Sequence, residues 1–180
     1  MKTSLLVVLF TFALIPLISA QKLISKNAHI YFYSYTPLEN IEATNNQVAS
    51  ILDPATGSFQ FSLLIKSFEF KRALMQEHFN ENYMESDKLP KASFTGKITD
   101  FNKVNLKADG TYPVKVTGDL TIHGVTKPVT VDGTIEVKSG IVSAKAKFMV
   151  VPQDYNIVIP DLVRDKIAKE ITVNVEVTYN

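Results

Sequence analysis

The stretch 112–137, YPVKVTGDLTIHGVTKPVTVDGTIEV, decides the fold class of this 180-residue chain. Apolar residues and glycines alternate with polar residues along 112–122, and again along 129–137. A period of two is typical of β-strands that bury one face. His123–Gly124, between the two runs, is a turn signal. The stretch therefore predicts two antiparallel strands joined by a tight turn.

Similar runs lie on both sides of this hairpin. Alternation is clear at 142–150 and 171–179, and weaker strands are predicted at 27–35, 47–52, 59–70 and 92–101. Within 59–70 the apolar positions change parity, which indicates a bulge or bend near Lys66 and Ser67. About eight strands with short connections predict a mainly β fold, an eight-stranded antiparallel sheet closed on itself as a barrel.

Two segments have a helical rather than a strand period. Residues 71–86 carry apolar residues at helical spacing, which predicts a helix packed on the sheet or capping a barrel end. Residues 160–169 predict a second, short helix, for which Asp161 is the expected N-cap.

The N-terminus has the pattern of a secretory signal peptide, with Lys2, an apolar run and a small-residue end at Ser19–Ala20. A retained membrane anchor is the alternative, but Thr11 and Pro16 interrupt the apolar run. We therefore expect cleavage after residue 20, a single domain over 21–180, and a periplasmic or secreted protein without stable membrane insertion.

Composition excludes several classes of function. The chain has no cysteine, so it has no disulfide, no thiolate zinc site, no cysteine nucleophile and no lipoprotein anchor. Lys+Arg 19 against Asp+Glu 18 gives no surplus of positive charge for nucleic acid. No nucleophile elbow, zinc motif or phosphate loop occurs. We predict no catalytic residue, metal site or cofactor, and therefore no enzyme.

Two stretches resemble a known family. Residues 118–129, GDLTIHGVTKPV, resemble the G-x-L-T-I-H-G-V-T-K-P-V signature of the YceI-like family. Residues 75–94 are similar to that family's helix, K-x-P turn and following strand, and 154–157, DYNI, to its D-Y-G-I element. The resemblance implies a lipocalin-like barrel with an apolar tunnel for an extended lipid, such as a polyisoprenoid or a fatty-acid-type amide.

Strand parity then identifies the side chains expected to face this lipid. They belong to the apolar face of their strands, where Gly118 and Gly133 leave space or mark bends. The predicted ligand-binding residues are Phe59, Phe61, Leu63, Phe94, Val114, Val116, Leu120, Ile122, Phe148, Val173 and Val175. His123 is added as a hydrogen-bonding partner for a polar head group at the barrel mouth, beside a structural role for its turn.

We therefore predict a non-enzymatic protein that carries or stores one long-chain lipid or isoprenoid. The sequence is also compatible with a homodimer. Two alternatives stay open. One is a lipid-acting enzyme that uses His78 or His123 as base with a nearby carboxylate, such as Glu77 or Asp119, inside one pocket. The other is a barrel packed solid, whose loops bind another envelope protein.

Overall fold

In the computed structural model, which describes residues 21–179, the deciding stretch forms the longest hairpin of a closed barrel. The predicted signal peptide 1–20 lies outside the described residues. The strands are β1 Leu23–Tyr35, β2 Asn40–Leu52, β3 Ser58–Leu64, β4 Glu69–Phe70, β5 Lys91–Thr99, β6 Gly110–Ile122, β7 Val125–Lys138, β8 Ile141–Val150 and β9 Ile171–Tyr179.

Eight of these strands close the barrel, as predicted. The order is β1-β9-β8-β7-β6-β5-β3-β2, all pairs are antiparallel, and β2 returns to β1. The short β4 pairs only with β2. At the β6–β7 turn, His123 and Gly124 have φ values of 50° and 74°, as a two-residue type I′ turn requires.

The early strands are longer than their hydrophobic pattern predicts. β1 begins at Leu23 and β2 at Asn40, whereas the sequence predicted 27 and 47. The first half of β2 is polar, and its buried Asn45 is satisfied locally. Its Nδ2 donates to the Leu64 carbonyl at 3.0 Å, and its Oδ1 accepts the Gln47 N–H at 2.9 Å. Hydrogen bonding, rather than apolar alternation, therefore maintains this part of the strand.

The bend predicted near Lys66 is confirmed, because a 3₁₀ turn over Ile65–Ser67 separates β3 from β4. Neither predicted helix reaches its expected length. The first consists of α1, Ala73–His78, continued by a π-helical turn over Phe79–Tyr83. The second is a 3₁₀ segment over Asp161–Lys166.

The predicted N-cap role of Asp161 is wrong. Pro160 occupies that position, no side chain caps the segment, and the Asp161 carboxylate instead pairs with Arg164. Within residues 21–179, no helix is long and apolar enough to cross a bilayer.

Glycines allow close approach of the β5 and β6 backbones. Gly96 and Gly118 lie opposite one another, and a Cβ atom on Gly118 would lie 2.4 Å from both the Gly96 Cα and the Thr95 carbonyl oxygen. The Phe94 ring lies over both glycines, so it fills the space that their missing side chains leave. Close approach of the two strands, which is neither of the two interpretations offered by the sequence, therefore explains Gly118.

The barrel wall is incompletely paired between β7 and β8. Their register runs from Lys138↔Ile141 to Gly133↔Ala146. Beyond it, within the described chain, residues 125–132 of β7 have no register partner in β8. The β6–β7 and β8–β9 hairpins are each paired to their ends, so they diverge as two units. The unpaired part of the wall thus lies toward the end that carries the β1–β2, β6–β7 and β8–β9 loops, which we call the mouth.

Candidate lipid-binding cavity

The barrel interior contains a cavity of about 590 Å³. This volume is within the range of roughly 300–1,000 Å³ that is typical of small-molecule sites. Every barrel strand contributes to its wall, together with α1 and the β8–β9 loop. The barrel is therefore hollow, and the predicted alternative of a solid interior does not fit the structure.

Most of the residues predicted from strand parity are brought together on the cavity wall. They are Phe59, Phe61, Leu63, Phe94, Val116, Leu120, Ile122, Phe148, Val173 and Val175. Val114 and His123 are not part of the wall. Val114 pairs with Gly133, and its partly buried side chain packs against the hydrophobic core instead.

Sequence reasoning missed a cluster of four phenylalanines on the wall near the mouth. The Phe32 ring centroid lies 5.2 Å from that of Phe68, 5.9 Å from that of Phe70 and 5.5 Å from that of Phe79. Such separations suit favourable edge-to-face and tilted aromatic pairs. Phe68 and Phe70 follow the parity change after β3, and Phe79 follows α1. The sequence feature that could have identified these three residues is therefore the break in the alternation of apolar and polar residues.

The end opposite the mouth is closed by packed side chains. Leu52, Ile135, Val137 and Tyr179 are all buried there. The Tyr179 hydroxyl lies 2.6 Å from the Ser50 Oγ, which joins the last strand to β2, and burial raises the pKa of the Tyr179 phenol far above its usual value. Among residues 21–179, side-chain packing therefore closes the cavity at this end, opposite the mouth.

Charged groups of the cavity wall lie at the mouth. Arg72, at the start of α1, pairs with Glu39 of the β1–β2 loop, and the other titratable side chains of the wall are His78, Tyr83 and Lys166. Apart from Ser62 and Ser93, the deeper wall is formed by aliphatic and aromatic side chains. Apolar matter is thus favoured inside and polar or charged groups at the opening.

A second ion pair lies beside the mouth. The Lys71 Nζ is 2.9 Å from the Glu42 Oε2, and the Tyr35 hydroxyl donates to the Glu42 Oε1 at 2.7 Å. Lys71 first, and then Tyr35, lower the pKa of the Glu42 carboxyl from its ordinary value. These contacts join β1, β2 and the segment before α1.

His123 joins three segments of the mouth without facing the cavity. Its Nδ1–H donates to the Tyr155 carbonyl oxygen at 3.1 Å, and its Nε2 lies 3.4 Å from the Glu85 Oε2. Only 10% of its side chain is exposed. Lys88, and to a smaller extent His123, lower the pKa of the Glu85 carboxyl. The geometry thus supports the structural role predicted for this turn.

Neither histidine forms the acid–base pair that the enzymatic alternative predicted. Within residues 21–179, no hydrogen bond or ion pair joins His78 or His123 to Glu77 or Asp119. The carboxylate next to His123 is Glu85, and that pair lies outside the cavity wall. A lipid in the cavity would therefore not contact it.

Comparison with known proteins agrees with this architecture. The family model of the YceI-like domain matches residues 22–179. The chain belongs to the YceI-like family. The UPF0312 protein plu2095 of Photorhabdus laumondii is 32% identical to the YceI-like chain over 84 residues, which cover 46% of this chain and 40% of that protein. The chain thus matches less than half the length of that relative.

Solved structures share the YceI-like fold. A polyisoprenoid binding domain from Saccharophagus degradans, implicated in plant cell wall breakdown, aligns with a TM-score of 0.77 at 14% identity, covering 88% of this chain and 97% of that one. BcnA of Burkholderia cenocepacia aligns with a TM-score of 0.71 at 17% identity, covering 85% and 96%. The YceI protein of Campylobacter jejuni aligns with a TM-score of 0.61 at 18% identity, covering 81% and 88%.

Proposed function

We propose that this YceI-like protein is a carrier that holds one long-chain amphiphile, an isoprenoid or a fatty-acid-type lipid, in its barrel. The observation that carries the proposal is the 590 Å³ cavity with an apolar interior and charged groups at the mouth. An amphiphile matches this arrangement, with its chain inside and its polar end among Arg72, Glu39, His78 and Lys166. The polyisoprenoid binding domain with the same fold supports this ligand class.

Burial of the chain supplies the affinity. Each methylene moved from water into the cavity contributes about 0.8 kcal/mol, so ten methylenes contribute about 8 kcal/mol before the cost of ordering the chain. Groups at the mouth contribute less, because they remain partly hydrated. The wall therefore selects for a long apolar chain, and the mouth orients it. No bond of the lipid is changed in this role.

The direct test is to purify the protein from its native host, extract it with organic solvent and identify the bound material by mass spectrometry. We expect one equivalent of a long-chain lipid. Protein that is repeatedly free of lipid, and that takes up neither added isoprenoid nor added fatty acid, would contradict the proposal.

A matched pair of variants locates the ligand within the barrel. Ala146 lies on the cavity wall, whereas Ala49 lies on the outer face of β2. Ala146→Phe fills the cavity and is expected to abolish lipid uptake. Ala49→Phe adds the same ring outside and is expected to leave uptake unchanged. Equal uptake by both folded variants would exclude the barrel interior as the site.

The proposal includes export, which the sequence of residues 1–20 supports. N-terminal sequencing of the protein recovered from the periplasm or medium should begin at Gln21. Recovery of the protein only inside the cell, with its N-terminal segment intact, would contradict export without affecting lipid binding.

A further inference from the structure

Exposed apolar side chains are concentrated at the mouth. Of nine large exposed apolar side chains within residues 21–179, seven lie at this end of the barrel. These seven are Tyr35, Leu38, Leu64, Leu74, Met149, Val158 and Leu162. Only Ile24 and Ile141 lie at the closed end. The two ends of the barrel therefore differ in apolar surface as well as in opening.

Four of these side chains protrude from three segments around the opening, and we call them the collar. Leu38 is 67% exposed, Leu74 61%, Val158 76% and Leu162 93%. Leu74 lies on α1, and Val158 and Leu162 lie in the β8–β9 loop. Soluble proteins tolerate single exposed apolar residues, but a group that surrounds the opening of an apolar cavity indicates an interaction surface.

An ion pair and a hydrogen bond connect the segments that carry the collar. The Arg72–Glu39 pair joins α1 to the loop that carries Leu38. The Ala168 N–H donates to the Ser34 Oγ at 2.7 Å, which fastens the β8–β9 loop to β1. The collar side chains are therefore presented together by a linked set of loops.

The size of the collar argues against a second copy of the chain as its partner. Even at about 150 Å² each, the low end of the range for aromatic side chains, its four aliphatic side chains would offer about 600 Å². This is less than the roughly 800 Å² per partner of a standard protein interface. A bilayer sets no such minimum, because interfacial binding scales with the apolar area inserted.

The charges next to the collar are balanced. Residues 158–169 contain Arg164, Lys166 and Lys169 against Asp161 and Asp165, and on the other two collar segments Lys71 and Arg72 pair with Glu42 and Glu39. An almost neutral rim suits a zwitterionic lipid surface, and it gives no strong attraction to anionic lipid or to a charged protein. The free energy of binding to such a bilayer therefore comes from the insertion of apolar side chains.

We propose that the collar docks the barrel mouth onto the surface of a lipid bilayer, where the ligand enters and leaves. The inference rests on the proposed lipid-carrier function. A chain that crossed water would expose each methylene at a cost of about 0.8 kcal/mol, which raises the barrier to transfer. With the collar inserted, the chain passes from one apolar environment to another.

The absence of tryptophan from the sequence makes the test specific. Leu162→Trp places a single fluorophore on the collar, and Ile141→Trp places one at the closed end as a matched control. With phosphatidylcholine vesicles, the Leu162→Trp emission is expected to shift to shorter wavelength and to be quenched by brominated lipid. The control should show neither effect. Equal responses from both variants, or no response from Leu162→Trp, would overturn the proposal.

Charged variants separate docking from ligand binding. The double variant Leu162→Glu with Val158→Glu is expected to weaken vesicle co-sedimentation by about tenfold or more, since two side chains of Val/Leu size lose their burial. It should also slow the transfer of cis-parinaric acid from vesicles, while binding the same probe normally in vesicle-free buffer. Ile141→Glu is the matched control and should change none of the three measurements.

The outcomes distinguish the two proposals. If the protein takes up neither cis-parinaric acid nor added isoprenoid but Leu162→Trp still inserts, then the carrier function fails and docking to the bilayer stands. If the probe binds normally and no vesicle contact occurs, then docking alone fails. If light scattering shows a dimer that the double glutamate variant dissociates, then a second copy covers the collar and the membrane proposal is overturned.

Discussion

Gly118→Ala is expected to be among the most destabilising single-methyl additions in the barrel. The new Cβ would lie 2.4 Å from the Gly96 Cα and 2.4 Å from the Thr95 carbonyl oxygen. Both atoms belong to the backbone of a paired strand, so relief requires β5 and β6 to separate. Overpacking of this kind costs about 1–3 kcal/mol and occasionally more, and the short distances to backbone atoms place this variant at about 3 kcal/mol.

Gly140→Ala is the control for backbone conformation. Gly140 has φ +80°, and no heavy atom lies within 4 Å of the point that its new Cβ would occupy, so the substitution adds left-handed strain without a clash. That strain costs roughly 1–2 kcal/mol. Phe94→Ala in the Gly118→Ala background is expected to give no rescue, because the Phe94 ring is the flexible neighbour and the backbone contacts remain.

Urea unfolding followed by far-UV circular dichroism measures the difference. With a slope of about 2 kcal/mol per molar urea, a loss of 3 kcal/mol lowers the midpoint by about 1.5 M. Gly140→Ala should lower it by about half that amount. If Gly118→Ala unfolds at the same midpoint as Gly140→Ala, or if removal of the Phe94 ring restores its stability, then close approach of the strands does not explain the glycine.

Three further predictions concern the two ends of the barrel. Tyr179→Phe leaves the buried Ser50 hydroxyl without its 2.6 Å partner, and calorimetry should show a loss of about 1–2 kcal/mol, whereas an unchanged stability would refute the closing role of this bond. His123→Asn keeps a residue that favours the type I′ turn but removes the ring that binds the Tyr155 carbonyl oxygen. Amide hydrogen exchange should therefore become faster in the β8–β9 loop and stay slow in the β6–β7 hairpin. Faster exchange in the hairpin would contradict this prediction. Lys71→Met should raise the pKa of Glu42 toward its ordinary value in an NMR titration, since Lys71 is the main cause of its lowering. Because the pKa of Glu42 is depressed in the folded protein, its small contribution to folding stability is present above the ordinary carboxyl pKa. That contribution is lost as pH falls through the folded pKa.

Periodicity predicted which side chains of each regular strand face the barrel interior. It could not predict how far along the barrel axis each of these side chains lies, and so which of them reach the cavity. Val114 and Val116 have the same parity on β6, yet only Val116 lies on the cavity wall. Depth depends on where β7 and β8 stop pairing, at Gly133↔Ala146, and on which side chains fill the closed end. These are relations between distant segments, which a local pattern does not contain.

The parts missed by sequence reasoning are those where alternation is not the stabilising feature. The first half of β2 is a strand because it pairs with β1 and because the Asn45 amide is satisfied, although its sequence is polar. The phenylalanine cluster spans β1, the residue after a 3₁₀ turn, β4 and the π-helical turn that follows α1, so no single period relates its members. His123 was recognised as part of a turn, but its contact with Tyr155 joins residues 32 positions apart.

The position of the cavity follows from how the barrel is stabilised. With no cysteine in the chain, closure depends on strand pairing and side-chain packing. At the closed end both are complete, since β7 pairs with β8 and Tyr179 packs beneath them. Toward the mouth the ladder between β7 and β8 ends, and the wall is continued by side chains and by contacts such as His123 with Tyr155. Under the proposed carrier function, a ligand that enters at the mouth would therefore displace loops held by a few side-chain contacts rather than open a paired sheet.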